Sequence, residues 1–128
     1  MNVKIFAVAI AAAFLVSASF TATPTTPPVP QSSNACLLEG EIMSEFVKDC
    51  SQTSMPISAA AYAAQCRENE SAGLKATPMK TCPAQAQASC INPFGQQITT
   101  FYYARSPQQL AATKQSCVAQ RGKWVERP

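Results

Sequence analysis

Residues 82–109, CPAQAQASCINPFGQQITTFYYARSPQQ, set the expected architecture, because two alternating runs flank Asn92-Pro93-Phe94-Gly95. Asn, Pro and Gly at the first, second and fourth positions suit a type I turn. With Gly95 in the left-handed region, such a turn closes a hairpin with a bulge. Pairing Asn92 with Gln96 sets Cys90 opposite Ile98, Ala88 opposite Thr100 and Ala86 opposite Tyr102. Strand side chains alternate between faces. One face then collects Ala86, Ala88, Cys90, Ile98, Thr100 and Tyr102, small and apolar enough for a helix to lie close. The other carries Ser89, Ile91, Thr99, Phe101 and Tyr103 among glutamines. Phe101 and Tyr103, with Arg105 just beyond them, are the candidate binding surface, since Tyr is enriched at interface centres. If helices cover this face instead, the same aromatics are core.

Outward from the hairpin, Ser106 caps a helix, with Pro107 at its first position and Gln109 completing a capping box. Gly122 suits its left-handed stop. Lys123 to Val125 make a short third strand with Trp124 inward. Upstream, residues 36–50, CLLEGEIMSEFVKDC, place Leu38, Ile42 and Phe46 four apart beside Met43 and Val47, the spacing of an amphipathic helix. Gly40 weakens that helix by about 1 kcal/mol relative to Ala. A second helix runs from a Ser54 cap through ISAAAYAAQCRENE to Glu70, and residues 71–81 read as loop. The expected fold is α+β: two N-terminal helices, a β-hairpin, a C-terminal helix and a short third strand. No internal repeat is visible.

Compartment follows from the ends and the cysteines. Lys4 precedes an apolar run from Ile5 to Phe20, a signal peptide over 1–22 with cleavage after Ala18, Ser19 or Ala22. A lipid anchor at Cys36 is disfavoured, because Cys36 lies well beyond the apolar run. Residues 23–34, TPTTPPVPQSSN, form a Pro-rich linker, and 35–128 form a single small domain. All six cysteines, Cys36, Cys50, Cys66, Cys82, Cys90 and Cys117, lie in that domain. Behind an export signal they predict three disulfides in a periplasmic or secreted protein. A zinc site is the rival reading, but the chain has no His and no Cys-x-x-Cys pair. Sequence leaves about 15 pairings open. A helix over 36–50 would exclude Cys36–Cys50, since it separates them by roughly 21 Å.

Charge divides along the chain. Residues 35–70 carry six acids and two bases, and residues 71–128 carry seven bases and one acid. Weak attraction between the halves accounts for this, and a basic face for lipid headgroups or polysaccharide is the sharper alternative. Asn69-Glu70-Ser71 matches the glycosylation acceptor pattern.

Catalytic chemistry is poorly supplied. Without His there is no His-based triad or dyad, and bridged cysteines are not thiolates. No catalytic residue, metal or cofactor is assigned. Glu41, Glu45 and Asp49 recur every four residues, and paired carboxylates could act on glycosidic bonds. A solvated helix face explains them more simply. Phe101, Tyr102 and Tyr103 run into Arg105, which suits single-strand stacking, but export and a modest net charge of +3 argue against nucleic acid. No integral membrane span is expected. The leading expectation is an exported, disulfide-stabilised binding protein for another envelope or secreted protein. The alternatives are an envelope-polymer enzyme using carboxylates and a structural envelope component.

Overall fold

The computed structural model describes residues 34–128, so the signal peptide and all of the linker except Asn34 lie outside the described residues. Two long strands come first, β1 (Asn34–Ile42) and β2 (Glu45–Thr53), followed by α1 (Ala59–Arg67) and β3 (Leu74–Met79). Then come β4 (Ala88–Ile91), β5 (Ile98–Tyr102), α2 (Pro107–Ala119) and β6 (Lys123–Glu126). The six strands form one sheet in the order β3-β1-β2-β5-β4-β6, with every neighbouring pair antiparallel.

This corrects the expected pattern of two N-terminal helices, a hairpin and a C-terminal helix. Residues 36–50 are a hairpin, not a helix. A spacing of four is even, so Leu38 and Ile42 also fit one face of a strand, while Phe46, past the turn and opposite Glu41, falls on the other. Three further features select the strand. Ala35, Cys36 and Leu37 are buried consecutively, as in a strand covered on both sides. Gly40 has φ +152 and lies so close to the Gly73 carbonyl that a Cβ would meet its oxygen at 1.8 Å. Met43 and Ser44 both hold left-handed φ values, 50° and 65°, which close a two-residue turn of type I′. The expected loop over 71–81 contains β3, the edge strand beside β1.

Around the second hairpin, register moves by two. Cys90 pairs with Thr100 and Ala88 with Tyr102, because the connection is longer than a bulged turn. Asn92 and Phe94 are left-handed within it, around a single 3-10 turn at Pro93–Gly95. An even shift preserves which side chains share a face. Ser106 caps α2 with a complete capping box, and Ser58, not Ser54, caps α1.

The architecture is a duplication. Residues 34–79 and 88–126 each run strand, strand, helix, strand, and each places its third strand outside its first. The two ββαβ units meet at the β2–β5 seam. One row across the sheet reads Pro78, Cys36, Ser51, Thr100, Cys90, Trp124, so bridged cysteines stand symmetrically about the seam. Cys36 bonds Cys66 of α1 and Cys90 bonds Cys117 of α2. Both helices therefore lie on one face, α1 over β1 and β3, α2 over β4 and β6.

Among the described residues no helix lies on the opposite face. Residues 80–87, the strap joining the units, run beneath it instead. Cys82 bonds Cys50 from this side, its backbone N–H donates to Gln52 Oε1 at 3.0 Å, and the Tyr103 hydroxyl donates to the Pro83 carbonyl at 2.6 Å. The core is thus two small clusters rather than one. Cys36, Cys66 and Ala76 pack with Leu38 and Tyr62 under α1. Ala35, Leu37 and Cys50 pack with Met79, Cys82 and Tyr103 above the strap. So little bulky apolar volume explains the need for three disulfides in so small a domain.

Candidate functional site

Of the residues expected to form a binding surface, Phe101 and Tyr103 share one face and Arg105 leaves it. Phe101 and Tyr103 lie on the strap face and are half-buried. Tyr103 belongs to the core cluster around Cys50, and burial raises its phenol pKa. Arg105 turns to the helix face. Its guanidinium stacks 5.2 Å from the centre of the Tyr102 ring and pairs with Asp49 across the seam. Tyr102 in turn stacks on Trp124 at 5.7 Å. Burial, then the Asp49 carboxylate, push the Tyr102 pKa up, and Arg105 opposes them. Gln87 fixes the Arg105 backbone with two hydrogen bonds, of 2.8 and 3.0 Å. This arrangement joins the two units and separates Arg105 from Phe101 and Tyr103.

The carboxylates do not form a stripe either. Glu41 opposes Phe46, so it faces away from Glu45 and Asp49. Glu45 accepts from Gln109 Nε2 at 2.9 Å, and Asp49 is occupied by Arg105. No general acid–base pair results from them. All six cysteines are in disulfides, and Cys36 and Cys50 are indeed not partners. The reason differs from the one expected: they sit on neighbouring strands with side chains on opposite faces.

The exposed bulk lies elsewhere. Ile42, Met43 and Phe46 are 40%, 95% and 58% exposed at the tip of the β1–β2 hairpin. That tip projects past the end of β5, whose last pair with β2 is Asp49–Tyr102. Glu41 and Glu45, both exposed, flank it. At the other end of the sheet, the β4–β5 connection carries Phe94, 71% exposed. It borders a shallow groove of about 540 Å³ lined by Phe94, Gly95, Ala119, Gln120 and Arg121. Phe94 is held there by its N–H to the Gln120 carbonyl, 2.7 Å. The duplication puts both apolar tips at equivalent places, because both are the first hairpin of their unit.

The sequence expectations missed both tips. In a helix, Ile42 and Phe46 would face inward with Leu38. Phe94 was visible only as a turn residue. Gly40 was the available signal, since a glycine amid apolar residues often marks a close approach in a strand.

No family model, curated protein or solved structure matches the chain. Among the described residues no helix is long and apolar enough to cross a membrane, and no cluster of metal-ligating side chains occurs.

Proposed function

We propose that the chain is an exported, disulfide-stapled binding module that engages a protein partner through the β1–β2 tip. Three bridges agree with an oxidising compartment. The observation that carries the reading is Met43, nearly fully exposed and left-handed at φ 50°. A type I′ turn favours Asn and Gly, and a residue with a Cβ is strained there by roughly 1–2 kcal/mol. Stability is therefore given up at a position where Met43 touches little of its own chain. Strain of this kind gathers at sites of function. Met and Phe are both favoured in interface centres.

The test separates folding from binding. Met43→Asn with Ser44→Gly should raise stability by about 1 kcal/mol by relieving the turn. The same change should abolish recovery of the partner when the protein is isolated from envelope extract under mild conditions. Met43→Glu should leave the melting temperature unchanged and also lose the partner. Equal recovery by both variants would sink the assignment.

A further inference from the structure

Charge is distributed along the strand axis as well as along the chain. The β1–β2 tip is apolar with an acidic border, Glu41 and Glu45, neither of them in an ion pair among the described residues. The groove at the opposite end is apolar with a basic border, where Arg121 lines it and Lys123 begins the adjacent strand β6, both exposed. Among the described residues one ion pair crosses between the acidic and basic parts of the chain, Asp49–Arg105. The acids of one end and the bases of the other therefore point to solvent rather than to each other. Antiparallel strands explain the separation: β1 and β4 run in opposite directions, so the tips of their hairpins lie at opposite ends, on the order of 35 Å apart.

We infer that the partner of the tip is a second copy of this chain, whose Phe94–Arg121 groove receives Met43 and Phe46 in a head-to-tail contact. This rests on the reading of the tip as a docking surface. The pairing matches apolar to apolar and acidic to basic, which steers association and excludes like ends. Tip-to-tip or groove-to-groove contacts would place like charges together. A contact between different patches does not close on itself, so successive copies form open chains or rings instead of a two-fold dimer. The exposed apolar side chains of the tip are only Ile42, Met43 and Phe46, few beside the roughly 800 Å² per partner of a stable complex, so the contact is weak and needs high local concentration.

Sedimentation equilibrium of the oxidised, exported protein tests this. The weight-average mass should rise between about 10 μM and 1 mM, a range suited to a small interface, and fall again in high salt. Met43→Glu and Arg121→Glu should each hold the protein monomeric at the same melting temperature. Mixing the two variants should restore one heterodimer and nothing larger, because each retains the surface the other lacks. A wild-type monomer throughout this range, or assembly unchanged by both substitutions, overturns the self-association. If the monomer nonetheless recovers a different envelope protein that Met43→Glu loses, self-association falls while the tip stands as a docking surface. Salt-dependent binding of the monomer to anionic vesicles, lost in Arg121→Glu and retained in Met43→Glu, also overturns it and assigns the basic end to a lipid surface.

Discussion

The two ββαβ units have one topology and different means of holding it. Residues 34–79 use nine-residue strands joined by a two-residue turn, with a short helix of nine residues. Residues 88–126 use strands of four and five residues, a long connection and a 13-residue helix with a full capping box. The first unit is also bridged to the strap, Cys50 to Cys82, and at the position equivalent to Cys50 the second has Thr99. The first carries six acids and three bases, net −3; the second carries four bases and one acid, net +3. Where the units agree, in the bridge from first strand to helix, the agreement reports what the fold requires. Where they diverge, at the tips and in charge, the fold leaves freedom that binding can use.

The largest effects should come from the equivalent bridges. Their loops span 30 and 27 residues, so chain entropy assigns each about 3.5 kcal/mol. Denaturant unfolding of Cys36→Ala/Cys66→Ala and Cys90→Ala/Cys117→Ala should therefore give similar losses of that order. A gap of more than about 2 kcal/mol between them would break the equivalence of the units. Reduction of all three bridges should unfold the domain near physiological temperature.

Next in size is the residue under each bridge. Ala76 packs against Cys36 and Cys66, and Gly122 takes the corresponding place. A Cβ on Gly122 would meet the Cys90 and Cys117 sulfurs at 2.6 and 2.8 Å. Gly122→Ala should cost about 1–3 kcal/mol by overpacking, whereas the first unit already accommodates the methyl. A thermal shift within error would show that the second helix sits less tightly than the first.

A smaller loss is expected at the seam. Arg105→Met removes the partner of Asp49 while keeping most of the stem packed on Tyr102. Both groups are partly exposed, which limits the cost to roughly 1–2 kcal/mol. Asp49→Asn together with Arg105→Met should recover part of it, and a double-mutant cycle with no coupling would remove this pair from the list of contacts between units.

The smallest effect is a titration. Tyr62 in the first unit, and Tyr102 and Tyr103 in the second, all have raised pKa values, with burial as the first cause. A raised phenol favours the neutral form in the folded state. Its stabilising contribution is complete below the unfolded value of about 10 and is lost as pH rises through the folded value. Absorbance at 295 nm should titrate at higher pH in the native protein than in denaturant; coincident curves would contradict the burial.

Much of the second unit was legible because its signals are local. Ser106, Pro107 and Gln109 act within one turn of helix, and the alternation from Ala86 to Cys90 and from Ile98 to Tyr102 survives a register error of two. The first unit depends on distant partners. Leu38, Ile42 and Phe46 satisfy a helix equally well in isolation, and what makes them strand residues is the pairing of β1 with β2, held between β3 and β5 farther from the tip. The repeat of the ββαβ unit is not legible in the sequence for a related reason. Its common elements are cysteines, serine caps and strand order, while the residues between differ in charge and size. Surface placement was least legible: Phe101 and Tyr103 are covered by a strap whose path depends on the Cys50–Cys82 bond.

That strap has a topological consequence. Cys36–Cys66 and Cys50–Cys82 close before Pro83, and Cys90–Cys117 closes after it, so no sulfur bond spans the junction of the units. Pro83, Ala84 and Gln85 are exposed and are the point where a protease can reach the connecting chain. Severed there, the domain becomes two separately cross-linked peptides held together by non-covalent contacts, chiefly the pairing of β2 with β5. Covalently it is a pair of subunits spliced end to end, and the splice can be undone without disturbing a single cystine.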